Sequence, residues 1–366
     1  MLNLALSVFF ITVLTVLAVI GAALFWQRLF AGRSGQNATY FFTAEDGWKL
    51  AVHRYRPDRC EHPIPVILCH GLSSNRFAFD LPACPSLARY LRMHGFDVWL
   101  VELRGSGMSE KPGLVFSDVP YSWGFHDHLT KDVPAVIRFV MEQTGASKIN
   151  WIGHSMGGML IRAHVSAHPD APVQTAITIG SPLDFSKMKS TRFGALARFG
   201  FLVRPCPIFP LPFIGKAVSP LAHMLPGFLM NAFHSPNIDQ KGAQRIVATA
   251  SELVTSTRLW LDFGRFIRTG VFGPGDGSRY VTDGSPANMP VLVLAGSRDG
   301  MAPLESVKAG YEMLPEPGAG EFYILGKEIG FAEDYGHLDL LSGSRAHKEV
   351  FPIVLTWLSK HGSEDS

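Results

Sequence analysis

Lys148–His168 reads KINWIGHSMGGMLIRAHVSAH, and the reading of this stretch decides the fold. Lys148–Ile152 is a short apolar run of the kind found in strands buried on both faces, and Met156–His168 has helical patterning. Between them lies Gly153-His154-Ser155-Met156-Gly157, a G-x-S-x-G turn from strand to helix. That context is what a nucleophile elbow requires. The turn is tight enough to strain the serine backbone, and its neighbours two residues away must lack bulk, which Gly153 and Gly157 satisfy. The hydroxyl then projects at the carboxyl end of the strand, over a helix start whose unpaired N–H groups and positive dipole end favour an oxyanion. The plain alternative is a Gly-rich turn that happens to contain serine; the strand before it and the helix after it argue against that.

Outward from the elbow, short apolar runs alternate with helical patterns. Trp48–Tyr55 reads as an early edge strand, Pro65–Cys69 and Asp97–Glu102 as buried strands, and Val173–Ile179 as a further strand. Helices are expected at Leu87–His94 and His126–Gln143. Such alternation predicts an α/β fold with a mostly parallel sheet covered by helices on both faces. From about Phe185 to Asn288 the pattern breaks into Pro-, Phe- and Gly-rich sequence, with helical pieces at Gln244–Thr255 and Thr257–Thr269. Strands resume at Pro290–Ala295 and Glu321–Leu325, and Lys348–Lys360 closes the chain as a helix. The expected organisation is therefore a core in two parts, 38–184 and 289–362, interrupted by a cap or lid at 185–288.

An elbow serine needs a base, an acid that orients it, and oxyanion donors, and in folds built on this motif the chain order is Ser, acid, His. Asp299 follows the PVLVLA run in Gly296-Ser297-Arg298-Asp299-Gly300, the loop after a late strand; Asp184, one strand earlier, is its rival, and a surface Asp-Gly turn is the structural alternative. His337, in Asp334-Tyr335-Gly336-His337-Leu338-Asp339, follows Asp299 and lies between the last strand and the last helix. His347 opens a helix beside Lys and Glu, and His361 is in the tail, so His337 alone has both the order and the loop. The oxyanion donors are expected to be the backbone N–H groups of Met156 and of Leu72, in the His70-Gly71-Leu72 loop after an earlier buried strand. His70 precedes the serine, so it is expected to pack and shape the loop and not to act as the base. No metal or organic cofactor is called for.

These stretches resemble the α/β-hydrolases, and in particular the acid lipases of gastric and lysosomal type. The resemblance rests on HGLSSN at 70–75, DVWLVELRGSGMS at 97–109, FHDHLTKDVPAVIRFV at 125–140, TGASKINWIGHSMGG at 144–158 and GHLDLLSG at 336–343. It covers most of the chain outside the N-terminal segment and the cap. The elbow departs from the acid lipases in having Met156 where they usually carry Gln. The resemblance implies an α/β-hydrolase fold and cleavage of carboxylic esters by a serine hydrolase.

The N-terminus bears on the substrate. Leu2–Gln27 holds no charged residue, and Leu4–Trp26 would span roughly 34 Å as a helix, enough to cross a hydrocarbon core. A cleaved signal peptide is the rival, but nothing basic precedes the run and the run is long. A retained, single-pass membrane anchor is favoured, with Trp26 and Arg28 at the interface; Arg28 and Arg33 behind it place the catalytic domain on the cytoplasmic side by the positive-inside rule. A polar, Gly-containing linker follows at Ala31–Asn37.

Pro205–Phe233, with PIFPLPFIG, AHMLPGFLM and NAF, reads either as apolar packing onto the core or as an acyl pocket. A lipophilic ester met at a membrane is the expected partner. The net charge of +2 without a clustered basic face gives no argument for nucleic acid. The four cysteines, Cys60, Cys69, Cys84 and Cys206, show no C-x-x-C spacing, which argues against zinc ribbons and redox motifs. Two other functions stay open: acyl transfer through the same acyl-enzyme, and a non-catalytic binding protein on the same fold.

Overall fold

The computed structural model describes residues 2–30, 32, 34–112, 121–189, 208–209, 216–217, 219–221, 235–252, 255–284, 288–316 and 319–363. The apolar Pro205–Phe233 stretch, Cys206 and Arg33 therefore lie wholly or largely outside the described residues.

The N-terminal helix α1 spans Leu2–Phe30. The core strands are β1 (Ala38–Thr43), β2 (Lys49–Tyr55), β3 (His62–Cys69), β4 (Phe96–Glu102), β5 (Ile149–His154), β6 (Val173–Ile179), β7 (Val291–Gly296) and β8 (Gly320–Leu325). They form one eight-stranded sheet in the order β1-β2-β4-β3-β5-β6-β7-β8. Strand β2 runs antiparallel to both its neighbours, and every pairing from β4 to β8 is parallel.

The sheet is buried on both sides because its strands carry large apolar side chains at both parities. In β4, Trp99 and Val101 enter one core while Val98 and Leu100 enter the other. The first core is closed by α3 (Val133–Thr144), α4 (Met156–Ala167) and α6 (Thr257–Thr269), with Val307 from α7 (Leu304–Glu312). The second is closed by α2 (Leu87–Met93) and α8 (Phe351–His361). Full burial of a side chain such as Phe125 or Phe351 contributes roughly 1.5–3 kcal/mol. Between α4 and α6 lies α5 (Gln240–Arg245).

Several expectations shift. The edge of the sheet is β1, not β2: the aromatic ATYFFT hairpins onto β2 through a turn with Gly47 at φ 87°, and its burial does not alternate cleanly enough to reveal a strand. The single helix expected over His126–Gln143 is an α-turn at Phe125–Asp127, a π-turn at His128–Asp132, and then α3. The π-turn ends where Pro134, lacking an N–H, enters the first turn of α3. Arg104 fastens that turn, donating from Nε and Nη2 to Asp132 Oδ1 at 2.8 and 2.7 Å.

The helix expected over Gln244–Thr255 begins earlier, at α5, where Asp239 Oδ1 accepts the Gly242 N–H at 2.6 Å. It passes through a π-turn at Ile246–Ala250 and then becomes extended, Ser251 bridging to Ser74. The closing helix is two pieces, Ala346–Glu349 and α8, with Pro352 in the first turn of the second. Helix α7 was not expected. The linker after α1 is clasped to the core: the Gly35 N–H donates to Asp80 Oδ2 at 2.6 Å, and a Cβ on Gly32 would lie 2.2 Å from Pro82 Cβ.

Candidate active site

Ser155 sits between β5 and α4 with φ 52° and ψ −118°, a strained conformation for a residue with a Cβ. The glycines around it are fixed by backbone proximity. A Cβ on Gly153 would stand 2.2 Å from the Gly157 carbonyl carbon, and one on Gly157 would stand 2.1 Å from the Cys69 carbonyl oxygen. Neither contact can be relieved by moving a flexible side chain. Gly157→Ala is therefore expected to lower the thermal midpoint by several degrees, since overpacking costs about 1–3 kcal/mol or more. A melt superimposable on wild type would contradict this account of the elbow.

The second loop lies against the first. A Cβ on Gly71 would be 3.0 Å from Ser155 Cβ, so Leu72 follows directly on the point of contact. Met156 is the first residue of α4, where an N–H has no intrahelical acceptor. His70 holds the loop in shape, as expected. Its Nδ1–H donates to the Gly71 carbonyl at 2.9 Å, and its Nε2 accepts the Leu103 N–H at 3.2 Å, the pattern of a neutral ring. Burial lowers its pKa. Loop residues Ser73–Asn75 are clamped from beyond β6. Ser74 Oγ donates to the Ala250 carbonyl at 2.8 Å, Asn75 Nδ2 to the Thr249 carbonyl at 2.9 Å, and the Glu252 N–H to the Ser73 carbonyl at 2.8 Å.

The two remaining candidates are brought together. His337 Nδ1 lies 2.7 Å from Asp299 Oδ2, and both residues are buried. The other carboxylate oxygen, Asp299 Oδ1, accepts the N–H groups of Met301 at 2.8 Å and Ala302 at 2.7 Å. An acceptor-only carboxylate fixes His337 Nδ1 as the donor and leaves Nε2 of the neutral ring as an acceptor. Gly180, just past β6, joins the pair to the elbow. The Ser155 N–H donates to the Ile179 carbonyl at 2.8 Å, and a Cβ on Gly180 would be 3.2 Å from His337 Nδ1. The rival acid, Asp184, caps a 3-10 turn, its Oδ1 accepting the Ser186 N–H at 2.9 Å.

Two residues of this site were not singled out beforehand. Gly180 follows β6 directly, and nothing in the sequence around it marks it as part of a site. His154 occupies the first variable position of the G-x-S-x-G elbow motif. It is buried, its ring centroid is 4.6 Å from that of His337, and its Nε2–H donates to the His337 carbonyl at 3.0 Å. Burial, with the neighbouring His337 ring as a second and like-charged competitor for a proton, pushes its pKa down to about 3.

Burial also pushes His164 down to about 4. Together with His70, these rings stay neutral in the fold but gain protons in the unfolded chain once pH falls below about 6.5. The unfolded state then binds more protons, so stability is full above that pH and declines as pH falls toward the folded values. Each such histidine costs on the order of 1.4 kcal/mol per pH unit. Thermal midpoints are expected to fall between pH 7.5 and pH 5; a flat profile would contradict the burial of these rings in neutral form. Glu102, buried beneath the 70–76 loop, acts at lower pH. Burial would raise its pKa, but His53, the Arg76 charge and the Met108 N–H outweigh that and hold it at about 2.

A strained serine after a central parallel strand, with a buried His–Asp pair at the carboxyl ends of later strands, defines the α/β-hydrolase class. Residues 64–202 match the family described as alpha/beta hydrolase fold. The chain is 33% identical to human lipase member K over 164 residues, 39% of this chain and 41% of that protein's length. It is 28% identical to a probable lipase of Schizosaccharomyces pombe, covering 87% of this chain and 76% of that one. Human gastric triacylglycerol lipase is 24% identical over 88% of each chain. Among solved structures, a thermophilic esterase from Thermogutta terrifontis superposes with a TM-score of 0.59 at 18% identity, covering 88% of this chain and 99% of that one. The chain has the α/β-hydrolase fold, is similar to lipases along most of its length, and is an enzyme of the carboxylic ester hydrolase kind.

Proposed function

We propose that the protein cleaves lipophilic acyl esters at a membrane through an acyl-enzyme on Ser155. His337 is the general base, Asp299 the acid that orients it, and the N–H groups of Leu72 and Met156 are the oxyanion donors. The observation that carries the reading is the 2.7 Å contact between His337 Nδ1 and Asp299 Oδ2, seated against Gly180 beside the elbow.

In this reading His337 Nε2 takes the Ser155 proton as Oγ attacks the acyl carbonyl. The oxyanion is held by the two N–H groups, one at a helix start and one on the 70–72 loop. The imidazolium, stabilised by the Asp299 carboxylate, gives its proton to the departing alcohol oxygen as the C–O bond breaks. Water, deprotonated by His337, attacks the acyl-enzyme; the acid leaves and Oγ recovers its proton. His154 ties the His337 backbone to the elbow and acts as a positioning residue.

The lipophilic half rests on three supports. The relatives are named as lipases, one of them for triacylglycerol. Segment 185–288 is read as a cap whose apolar sequence suits acyl chains. Leu6–Phe30 has a mean hydropathy of 2.7, and α1 is read as a retained anchor with the catalytic domain on the cytoplasmic side. The test uses the full chain in detergent with a fluorophosphonate probe and p-nitrophenyl esters of increasing acyl length. Labelling that depends on Ser155, with preference for long chains, supports the reading. Absence of labelling in folded protein overturns the nucleophile, and turnover of short soluble esters alone overturns the lipid half.

A further inference from the structure

The last turns of α1 do not stand free of the catalytic domain. Ala23 is fully buried, and Val19, Ala22, Trp26, Gln27 and Phe30 are half-buried along the same side. This side packs on the π-turn Ile246–Ala250 and on the short turn Ser219–Leu221. The second of these turns is also tied to α5, which leads directly into the first: Gln244 Nε2 donates to the Pro220 carbonyl at 2.8 Å. The clasp of Gly35 on Asp80 follows within a few residues of the helix end, so α1 is held at both its flank and its exit.

The opposite side of the same turns is also apolar. Leu24, Phe25 and Leu29 are 43%, 57% and 58% exposed. A helix that merely docks on a soluble domain turns a polar face outward, whereas one that is apolar all round is buried or meets lipid. The first charge along α1 is Arg28, which marks the water-facing boundary of the apolar segment. Val19–Gln27 therefore falls on the hydrocarbon side of that boundary. At 1.5 Å per residue it reaches roughly 12 Å below it. Whatever is packed against that stretch lies at a similar depth.

We propose that α1 and the turns Ile246–Ala250 and Ser219–Leu221 form one unit embedded in a lipid bilayer, so that substrate reaches Ser155 from the leaflet and not from bulk water. The path from this unit to the site is short. Thr249, Ala250 and Glu252 bind Asn75, Ser74 and Ser73, and Leu72 and Gly71 come next, against Ser155. Trp260 at the foot of the same segment also meets this loop, its Nε1–H donating to Ser73 Oγ at 3.2 Å. This placement rests on the reading of α1 as a retained anchor and of the protein as a lipid-ester hydrolase.

The test is depth measurement on the full chain in phosphatidylcholine vesicles. A nitroxide is attached at Val247→Cys and, as the aqueous control, at Met93→Cys, a site 78% exposed on α2, with Cys60, Cys84 and Cys206 replaced by serine in both and only the buried Cys69 left in place. Oxygen collisions are expected to dominate over those of a water-soluble nickel complex at 247, and the reverse at 93. Equal nickel accessibility at the two sites overturns the proposal.

A second arm uses Ala23→Arg, which breaks the docked face without touching the site. Turnover of a long-chain ester in the vesicles is expected to fall at least tenfold, while turnover of a short soluble ester stays within twofold. Equal loss for both esters, or loss for neither, overturns the lateral route. Failure of the wild type to hydrolyse either ester sinks the hydrolase reading instead, and it leaves the depth of residue 247 to be judged on its own.

Discussion

Ser155→Ala is expected to lower kcat for every accepted ester by about ten-thousandfold to a millionfold while leaving KM far less changed. The magnitude follows from what is removed and what stays. The alanine deletes only Oγ, so the acyl-enzyme path is closed. The 70–72 loop, the α4 N-terminus and the His337–Asp299 pair keep their places, because none of them is held by the serine side chain: the loop is clamped by Thr249, Ala250 and Glu252, and His337 by Asp299 and Gly180. Residual rate over water is then expected from those groups alone. The thermal midpoint is expected to hold or rise, since alanine takes no more space at φ 52° and loses only a hydroxyl. Loss of less than a hundredfold in single-turnover assays would place the nucleophile elsewhere.

Asp299→Asn is expected to cost about ten-thousandfold in kcat with little change in fold. The hydrogen bonds dictate how. Met301 and Ala302 both donate to Oδ1, so the amide oxygen of asparagine must face them. Its NH2 group then faces His337 Nδ1, which has to become an acceptor. The ring proton moves to Nε2, and a histidine protonated there cannot take the proton of Ser155. Asp184→Asn is the matched control. Asn also caps helical turns, so the bond to the Ser186 N–H survives and activity is expected within twofold. Should Asp184→Asn lose the activity and Asp299→Asn keep it, the acid has been assigned to the wrong strand.

The elbow was legible because its demands fall within five residues. Two glycines, a serine, a buried strand before and a helix after are local facts, and the distances at Gly153 and Gly157 give their cause. Asp299 and His337 were legible by order: each follows a strand pattern strong enough to place its loop, and the Asp184 alternative could be named though not settled. What escaped is what acts across the fold. Gly180 matters because the His337 ring rests on it, a contact between residues far apart in sequence. His154 has a partner in the His337 carbonyl, 183 positions away. Strand β1 escaped for a different reason: an aromatic edge strand half covered on both faces has no alternation to read. The helix before α3 was misjudged because a π-turn leaves the spacing of apolar residues almost unchanged over so short a stretch.

The docking of α1 also governs how the protein behaves once it is cut. Ile246 and Ala250 belong to a small apolar cluster with Leu81, Ile238 and Ala243, and the helix covers its outer side. Truncation at Ser34 keeps every residue of the site but uncovers that cluster and leaves Gly35 without its lead-in to Asp80. The shortened protein would carry an oily patch where the full chain carries a helix. It would self-associate or hold on to detergent in proportion to that patch. Good yields in plain buffer are thus a poor goal for this enzyme, and surfactant is better regarded as a substitute for α1 than as a contaminant to be dialysed away.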